Sequence, residues 1–265
     1  MEQWQDQSVI LAVRRHGENG AIVSLLTANN GRQSAYMRGA MSSKNRGTLE
    51  IGNIVDANWK ARTSDSLGSV TMELSRSTAA RIMQDALKLS ALQSACALCD
   101  QALPEKEGHD GLYHGFLALL DILEGEVWAH GYIMWELALL KELGFSLDLT
   151  RCAGGGDDLD LAYVSPKTGR AVSREKGEPY KDKLLPLPNF LKASNSFAGV
   201  DEIVLGIQLT RFFLEHWVFA HHNRGLPEAR HRLGLRFAEV FDKTRGSGEE
   251  VRNIDELGTQ IHVTG

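Results

Sequence analysis

The sequence predicts an α+β protein of several domains, in which a five-stranded β-barrel precedes an α-helical domain. Five segments with strand character occupy the first 76 of the 265 residues, and a helical period begins at Ser77 and dominates the remainder. Five short antiparallel strands over about 70 residues fit a small closed barrel better than a sandwich, and the OB-fold is the common solution of that size. A barrel that binds no ligand is the plain alternative.

The predicted strands are bounded by turn residues and cover residues 8–15, 21–27, 32–39, 51–62 and 67–74. Asn30 and Gly31 between the second and third strands predict a tight hairpin, because Gly adopts positive φ freely and Asn tolerates it. The fourth strand alternates in character, which predicts one buried and one solvent-facing side. Its predicted buried side holds Ile51, Val55, Trp59 and Ala61, and its wet side holds Asp56, Asn58, Lys60 and Arg62.

The helical part begins with apolar residues spaced by three and four, which predict one amphipathic helix of about seven turns. Ser77 and Thr78 are its candidate N-caps. Further helices are predicted over 112–123, 127–143, 201–222 and 227–241, with Gly144 ending the second of these. The apolar stripe of the first helix is Ile82, Ala86, Leu89, Leu92, Cys96, Cys99 and Leu103.

These patterns divide the chain into four parts. Residues 1–76 are the predicted barrel, and residues 77–149 with 193–242 are the helical domain. Residues 150–192, which are polar and rich in Gly and Pro, predict a small hairpin subdomain inserted between the helices. Residues 243–265 are predicted to be weakly ordered.

Composition places few limits on function. No stretch approaches the roughly 20 apolar residues that span a bilayer, and the first residues lack the pattern of a signal peptide. We therefore expect a cytoplasmic protein without a membrane partner. Three cysteines make a disulfide framework unnecessary in a chain of this size, so reduced thiols are expected.

Motifs for catalysis or metal binding are weak. Cys96 and Cys99 form half of a zinc motif, but both fall on the apolar stripe of a helix, which favours burial as small hydrophobic residues. Residues 154–156 are three glycines followed by two aspartates, whose charge would repel phosphate. We accordingly predict no catalytic residue, no metal and no cofactor.

The first 76 residues hold an excess of positive charge in a chain whose net charge is −5. Binding of a polyanion follows the local potential of a patch rather than the net charge. Guanidinium groups bind phosphate bidentately, and an aromatic ring can stack on a base. The candidate DNA-binding residues are Arg32, Arg38, Lys44 and Arg46, with Arg14, Arg15, Lys60 and Arg62 behind them and Tyr36 as the stacking candidate. A solvated strand face is an equally good reading of these residues alone.

Two sets of motifs resemble the bacterial RecO family of DNA repair proteins, in the form found in alphaproteobacteria. The first set lies in the predicted barrel: Val13-Arg14-Arg15-His16-Gly17-Glu18-Asn19, Ile22-Val23-Ser24-Leu25-Leu26-Thr27, Asn30-Gly31-Arg32 and Arg38-Gly39-Ala40. The second lies in the insert: Tyr163-Val164-Ser165-Pro166, Gly169-Arg170-Ala171-Val172-Ser173, Gly177-Glu178-Pro179-Tyr180 and Leu184-Leu185-Pro186-Leu187-Pro188. The resemblance covers roughly residues 6–240.

The resemblance implies an N-terminal OB-fold, a helical domain and a role as recombination mediator. It implies binding of single- and double-stranded DNA, strand annealing, and loading of RecA onto DNA coated by single-stranded-DNA-binding protein. It also implies RecR and the C-terminal tail of the single-stranded-DNA-binding protein as partners, and action at the nucleoid during repair. None of these properties follows from the composition or the spacing of residues.

One feature departs from the family. Some members hold zinc in the insert with two C-x2-C pairs, whereas here Cys152 is followed by Gly155, and Ser173 and Lys176 fall where the second pair would lie. A lone thiolate does not make a tetrahedral zinc site, so the insert is predicted to be a zinc-finger-like fold without metal. We expect Tyr163 and Tyr180 to pack against Leu184 and Leu185 instead.

Two other classes of function remain open at this point. The chain could be an interaction adaptor, in which the barrel docks a protein rather than DNA. It could also be an enzyme acting on nucleic acid, although the sequence gives no positive case for one.

Overall fold

The computed structural model describes residues 2–63, 66–192, 199–220 and 225–245. The chain forms two compact units, one of Met1–Tyr132 with Pro227–Leu233 and the other of Ile133–Leu226 with Gly234–Gly265. The first unit therefore joins the barrel to the first helices. The finer division into domains at residues 76, 149 and 192 stays a prediction.

A closed five-stranded barrel forms the N-terminal part of the first unit. Its strands follow the order β1-β2-β3-β5-β4, with antiparallel neighbours except for β3 and β5, which pair in parallel through Ala35–Gly68 and Tyr36–Ser69. The five strands predicted from the sequence are all present. They are β1 (Glu2–His16), β2 (Gly20–Thr27), β3 (Arg32–Met37), β4 (Ile54–Ala61) and β5 (Gly68–Arg76).

The barrel interior confirms the alternation predicted for β4 with one exception. Val55, Trp59 and Ala61 are buried in the core, but Ile51 lies in the turn before β4 and is 38% exposed. The prediction that Ile51 is buried was wrong because Gly52, at a φ of 85°, turns the chain before the strand begins. The core consists of Ile10, Ala21, Val23, Leu25, Ala35, Met37, Ala40, Val55, Ala57, Trp59, Ala61 and Val70.

Two indole rings pack in parallel in this barrel. Trp4 on β1 lies opposite Trp59 on β4, with ring centroids 5.6 Å apart and planes 8° from parallel. Gly68 lies against the Trp59 ring, since a Cβ there would come within 2.1 Å of Trp59 Nε1. A side chain at residue 68 would therefore displace the indole from the core.

The predicted hairpin between β2 and β3 is confirmed. Gly31 has a φ of 65°, and Thr27 Oγ1 donates a 2.9 Å hydrogen bond to the Gly31 carbonyl. The carboxylate of Asp6 on β1 accepts hydrogen bonds from the Asn29 amide at 2.8 Å and from the Asn30 side chain at 3.0 Å. The hairpin is thus fixed to β1 by a polar side chain as well as by its own turn.

The long helix predicted from Ser77 is two helices, so that prediction was wrong. Helix α2 (Thr78–Ile82) ends before a turn, and α3 (Ala86–Ala102) begins after Asp85. The Asp85 carboxylate accepts hydrogen bonds from the Leu87 and Lys88 amides at 2.9 and 3.1 Å. The Asp85 carboxylate therefore caps the first amides of α3. In a continuous helix these amides would instead donate to backbone carbonyls of the preceding turn.

The remaining predicted helices are present with shifted ends. They are α4 (Asp110–Ile122), α5 (Trp128–Glu142), α7 (Val200–Phe213) and α8 (Glu228–Arg245). Gly144 follows α5 with a φ of 87°, as its predicted role as a helix stop requires. Helix α7 continues into a π-helical turn at Leu214–Val218. The predicted end of that helix at residue 222 and most of the predicted weakly ordered tail lie outside the described residues.

The insert belongs to the second unit and contains the predicted hairpin, formed by β6 (Leu161–Val164) and β7 (Ala171–Ser173). A third strand, β8 (Leu185–Pro186), pairs with β6, and α6 (Arg174–Gly177) follows β7. Tyr163 and Leu184 lie beside Gly177, but Tyr180 is 62% exposed. The expected packing of Tyr180 was wrong because it falls in an exposed 3-10 helix, Glu178–Lys183.

No helix in the described parts of the chain is long and apolar enough to cross a membrane.

Candidate nucleic-acid interface

One row of outward-facing side chains crosses all five strands of the barrel. The strand register pairs Arg14 with Ile22, Ile22 with Tyr36, Tyr36 with Ser69 and Ser69 with Lys60. Their strand neighbours Ala21, Ala35, Met37, Trp59 and Val70 are buried in the core, so the row faces out. Strands lie about 4.8 Å apart, so the row follows roughly 20 Å of the curved wall of the closed barrel. The outward row consists of Arg14, Ile22, Tyr36, Ser69 and Lys60.

Tyr36 stands in the middle of the outward row. Its ring lies against Gly20, where a Cβ would come within 2.3 Å of Tyr36 Oη. The His16 ring meets Tyr36 edge to face, with centroids 6.0 Å apart and planes at 81°. The Tyr36 ring is therefore held by neighbours and half-buried, a rigid arrangement that suits an aromatic stacking platform.

Arg32 lies on the same side of β3 as Tyr36, as the sequence predicted, but its guanidinium is engaged within the protein. Arg32 Nε donates a 2.8 Å hydrogen bond to the Leu103 carbonyl, and Nη1 lies 3.2 Å from Glu105 Oε1. Its side chain is 15% exposed. Arg32 thus fastens the segment after α3 to the barrel, and its guanidinium is occupied by these partners.

Arg14 also contacts α3. Its guanidinium forms an ion pair with Asp100, whose side chain is 4% exposed, whereas that of Arg14 is 52% exposed. Arg32 Nη1 lies 3.8 Å from the other oxygen of the same carboxylate. Asp100 therefore sits between two arginines, one largely covered and one half open to solvent.

The other six candidate cations are exposed and have no ion pair within the part of the chain that the structure describes. Arg15 is near the end of β1, where its Nη2 donates to the Glu18 carbonyl at 3.3 Å. Lys44 and Arg46 lie on α1 (Ser43–Arg46). This set, called the exposed cations below, consists of Arg15, Arg38, Lys44, Arg46, Lys60 and Arg62.

Short polar contacts fix the segment that carries three of these cations. Asn45 Nδ2 donates to the Gly39 carbonyl at 3.0 Å, and Asn53 Nδ2 donates to the Gly47 carbonyl at 2.8 Å. Ala40, next to this turn, is buried in the barrel core. The segment after β3 is therefore bound to the barrel while Arg38, Lys44 and Arg46 face solvent.

The sequence did not predict the two carboxylates that form ion pairs with Arg14 and Arg32. Asp100 and Glu105 lie 86 and 71 residues from the side chains they bind, Arg14 and Ser34. No local spacing or periodicity indicates such a contact. Only the folded structure shows which of these basic residues form ion pairs.

The insert brings Cys152, Ser173 and Lys176 together, three of the positions that the sequence resemblance compares with zinc ligands. The Ser173 amide donates to Cys152 Sγ at 3.2 Å, and a Cβ at Gly156 would meet Ser173 and Lys176. Burial alone would raise the pKa of Cys152, but hydrogen bonds from Ser173, Gly156 and Gly154 outweigh it and lower the pKa. One sulfur, one hydroxyl and one ammonium group do not fit a tetrahedral zinc ion. Among the residues described, no three His, Cys, Asp or Glu side chains form a metal cluster.

Cys96 and Cys99 are fully buried on α3, as their place on the apolar stripe predicted. Burial raises the pKa of both thiols, and the nearby charge of Asp100 raises it further. They behave as small apolar residues of the helix.

Comparison with known families identifies both parts of the chain. Residues 1–78 match the model described as Recombination protein O N terminal, and residues 83–224 match Recombination protein O C terminal. The chain belongs to the RecO family. The family predicted from the sequence motifs is thereby confirmed.

Curated RecO relatives align along nearly their whole length. DNA repair protein RecO of Rhodospirillum centenum is 48% identical over 240 residues, which cover 90% of this chain and 96% of the relative. The Rhodospirillum rubrum protein of the same name is 45% identical and covers 88% and 95%. That of Caulobacter vibrioides strain NA1000 is 44% identical and covers 90% and 98%.

Proposed function

We propose that this chain is a non-catalytic DNA-binding protein that anneals complementary strands and acts as a recombination mediator in DNA repair. The exposed cations neutralise phosphates on single- and double-stranded DNA, and Tyr36 offers a ring for stacking. The barrel serves as an OB-like binding domain. The observation that carries this proposal is the set of exposed cations without acidic partners in the described chain.

Physical reasoning connects this surface to annealing. Two complementary strands repel each other through their phosphates, and cations that bind both strands reduce this repulsion. Arg side chains fit phosphate through two parallel hydrogen bonds, and Lys acts as a point charge. The cations lie on strand ends and on α1, which the barrel holds in place. Such a surface binds by charge and shape and has little dependence on base sequence.

The partners in this proposal come from membership of the RecO family. RecR and the C-terminal tail of the single-stranded-DNA-binding protein are the proposed protein partners, and RecA is loaded indirectly. The place of action is the cytoplasm, at the nucleoid during repair. If the chain is instead an adaptor whose barrel docks a protein, charge reversal on the barrel should leave its affinity for DNA unchanged.

The direct test is charge reversal on the exposed cations. In the variant Arg38→Glu/Lys60→Glu/Arg62→Glu, we expect affinity for a fluorescent oligothymidine to fall at least tenfold at low salt. If about four cations contact a single strand, log affinity of the wild type falls with log salt at a slope near −3. If the three changed cations are among these four contacts, one contact remains and the slope of the variant should be about −0.7.

A matched control carries the same change in charge elsewhere. Lys141→Glu/Lys183→Glu/Arg232→Glu changes three exposed cations outside the barrel. The control should retain most of the affinity and the full salt slope. Equal losses in both variants, or none in either, would argue against a DNA site on the barrel and favour the adaptor.

The mediator role needs its own assay. Complementary oligonucleotides coated with single-stranded-DNA-binding protein should anneal faster when the chain is added, and the barrel variant should fail to accelerate them. If the wild type gives no acceleration although it binds naked DNA, the mediator part of the proposal fails while the binding part stands.

A further inference from the structure

We propose that Asp100 of α3 competes with DNA phosphate for Arg14 and so limits the affinity of the outward row. This inference rests on the proposed function, because it concerns how tightly the same barrel surface holds DNA. The carboxylate belongs to a helix that packs on the barrel and is not itself part of the DNA surface. Its role is to reduce the charge that one end of the row presents to DNA.

The geometry of the three side chains places the competition at Arg14. Arg32 keeps the Leu103 carbonyl and Glu105 as partners whether or not Asp100 is charged. Within the described chain Arg14 has Asp100 as its acidic partner. Loss of the Asp100 charge therefore changes the environment of Arg14 far more than that of Arg32.

Arg14 is accessible to a phosphate in spite of its ion pair. Its side chain is 52% exposed, and a guanidinium carries five N–H donors, of which one carboxylate uses at most two. A phosphate that approaches the remaining donors also approaches the buried Asp100 carboxylate. Because that carboxylate is 4% exposed, water screens the repulsion poorly.

The charges along the outward row become unequal as a result. At the β1 end, the charge of Arg14 is balanced by Asp100, whereas at the β4 end Lys60 has no ion pair in the described residues. DNA should therefore contact the β4 end of the row more strongly. Removal of the Asp100 charge should add one phosphate contact at the β1 end.

The test is Asp100→Asn, which preserves size and one acceptor oxygen. Affinity for oligothymidine should rise by about threefold to tenfold at 50 mM salt, and the salt slope should steepen by about 0.7, the value for one added contact on a single strand. In the background Arg14→Ala, Asp100→Asn should leave affinity unchanged. This cycle assigns the gain to Arg14 rather than to the net charge of the chain.

Glu105→Gln is the matched control. It removes an equal charge from a neighbouring carboxylate that binds Arg32 and not Arg14. Its affinity should change less than twofold. An equal gain in Asp100→Asn and Glu105→Gln, or a gain that persists in Arg14→Ala, would overturn the inference in favour of long-range charge.

A second comparison remains decisive if Asp100→Asn fails to fold. Arg14→Ala should lower affinity less than Lys60→Ala does, because Arg14 is already partly neutralised. Equal or larger losses at Arg14 would contradict the competition. If the triple barrel variant binds DNA normally, the proposed function itself fails. If that variant loses binding but Asp100→Asn matches wild type, the competition alone fails.

Discussion

The barrel uses its basic residues in two different ways. Arg14, Arg32 and Arg76 contact carboxylates of the helices that follow: Asp100 on α3, Glu105 after it, and Asp121 and Glu124 at the end of α4. The exposed cations have no such partner in the described chain. One group connects the barrel to the helices, and the other faces solvent.

This difference teaches that positive charge in a sequence does not by itself mark a binding surface. Arg32 and Arg38 lie six residues apart and fall on the same side of the strand predicted from the sequence. The Arg32 side chain is largely covered and contacts the segment after α3, whereas Arg38 is exposed. The first group should determine the stability of the first unit, and the second should determine affinity for DNA. Unfolding and DNA binding of single arginine variants test that separation.

Substitution of Arg32 should have the largest effect on stability. Arg32→Ala removes a hydrogen bond to the Leu103 carbonyl and the ion pair with Glu105, and it leaves Asp100 with one arginine. We expect the free energy of unfolding to fall by about 3 kcal/mol. Urea denaturation measures this loss. Arg38→Ala, the control at an exposed arginine just after β3, should change stability by less than about 0.5 kcal/mol. Equal losses of stability in the two variants would contradict the division between ion-paired and exposed arginines.

Substitution of Arg76 should have a smaller effect. Arg76 binds Asp121 and Glu124, but the Asp121 side chain is 66% exposed, so solvent weakens the pair. We expect Arg76→Ala to lower the free energy of unfolding by about 1 kcal/mol. DNA affinity at fixed salt should stay within about twofold of wild type, since only the general charge of the chain changes. A tenfold loss of affinity would move Arg76 into the DNA-binding group.

The smallest effect concerns pH. Hydrogen bonds from Arg76, and secondarily from Arg81, lower the pKa of Glu124 below its ordinary value of 4.5. A carboxyl whose folded pKa is depressed contributes stability above the unfolded pKa and loses it as pH falls through the folded pKa. The difference in stability between wild type and Arg76→Ala should therefore be complete at pH 6 and shrink below pH 4.5. A difference that stays constant down to pH 3 would show that Glu124 is not coupled to Arg76.

The sequence predicted the barrel well because its signals are local. Alternation along β4 and the Asn30-Gly31 turn act over a few residues, so the strand set and the hairpin could be read directly. The break between α2 and α3 was missed because the apolar stripe continues across it from Ile82 to Ala86. Asp85 was the available signal, since its carboxylate caps α3, but it stands inside an otherwise regular helical period.

The sequence predicted which residues belong to the candidate site but not how they are arranged in space. Alternation predicted Arg32, Tyr36 and Arg38 on one side of the third strand, but β3 ends at Met37 and Arg38 lies in the turn after it. The register of the barrel places Tyr36 in one row with Arg14 and Lys60. Which arginines are neutralised depends on Asp100 and Glu105, which reach the barrel through the packing of α3. Contacts over such separations in sequence have no periodic signature.

The rates at which the three cysteines react can be used to measure how often α3 detaches from its neighbours. Thiolate is the species that reacts with disulfide reagents, and the pKa of Cys152 is lowered, but its side chain is buried, so its modification also requires local opening of the insert. Cys96 and Cys99 are sealed between α3 and its neighbours and should react at the rate at which that helix detaches. Because Asp100 directly follows Cys99, the slow phase of thiol labelling should report how often Arg14 is released from its carboxylate. DNA that captures released Arg14 should accelerate that phase.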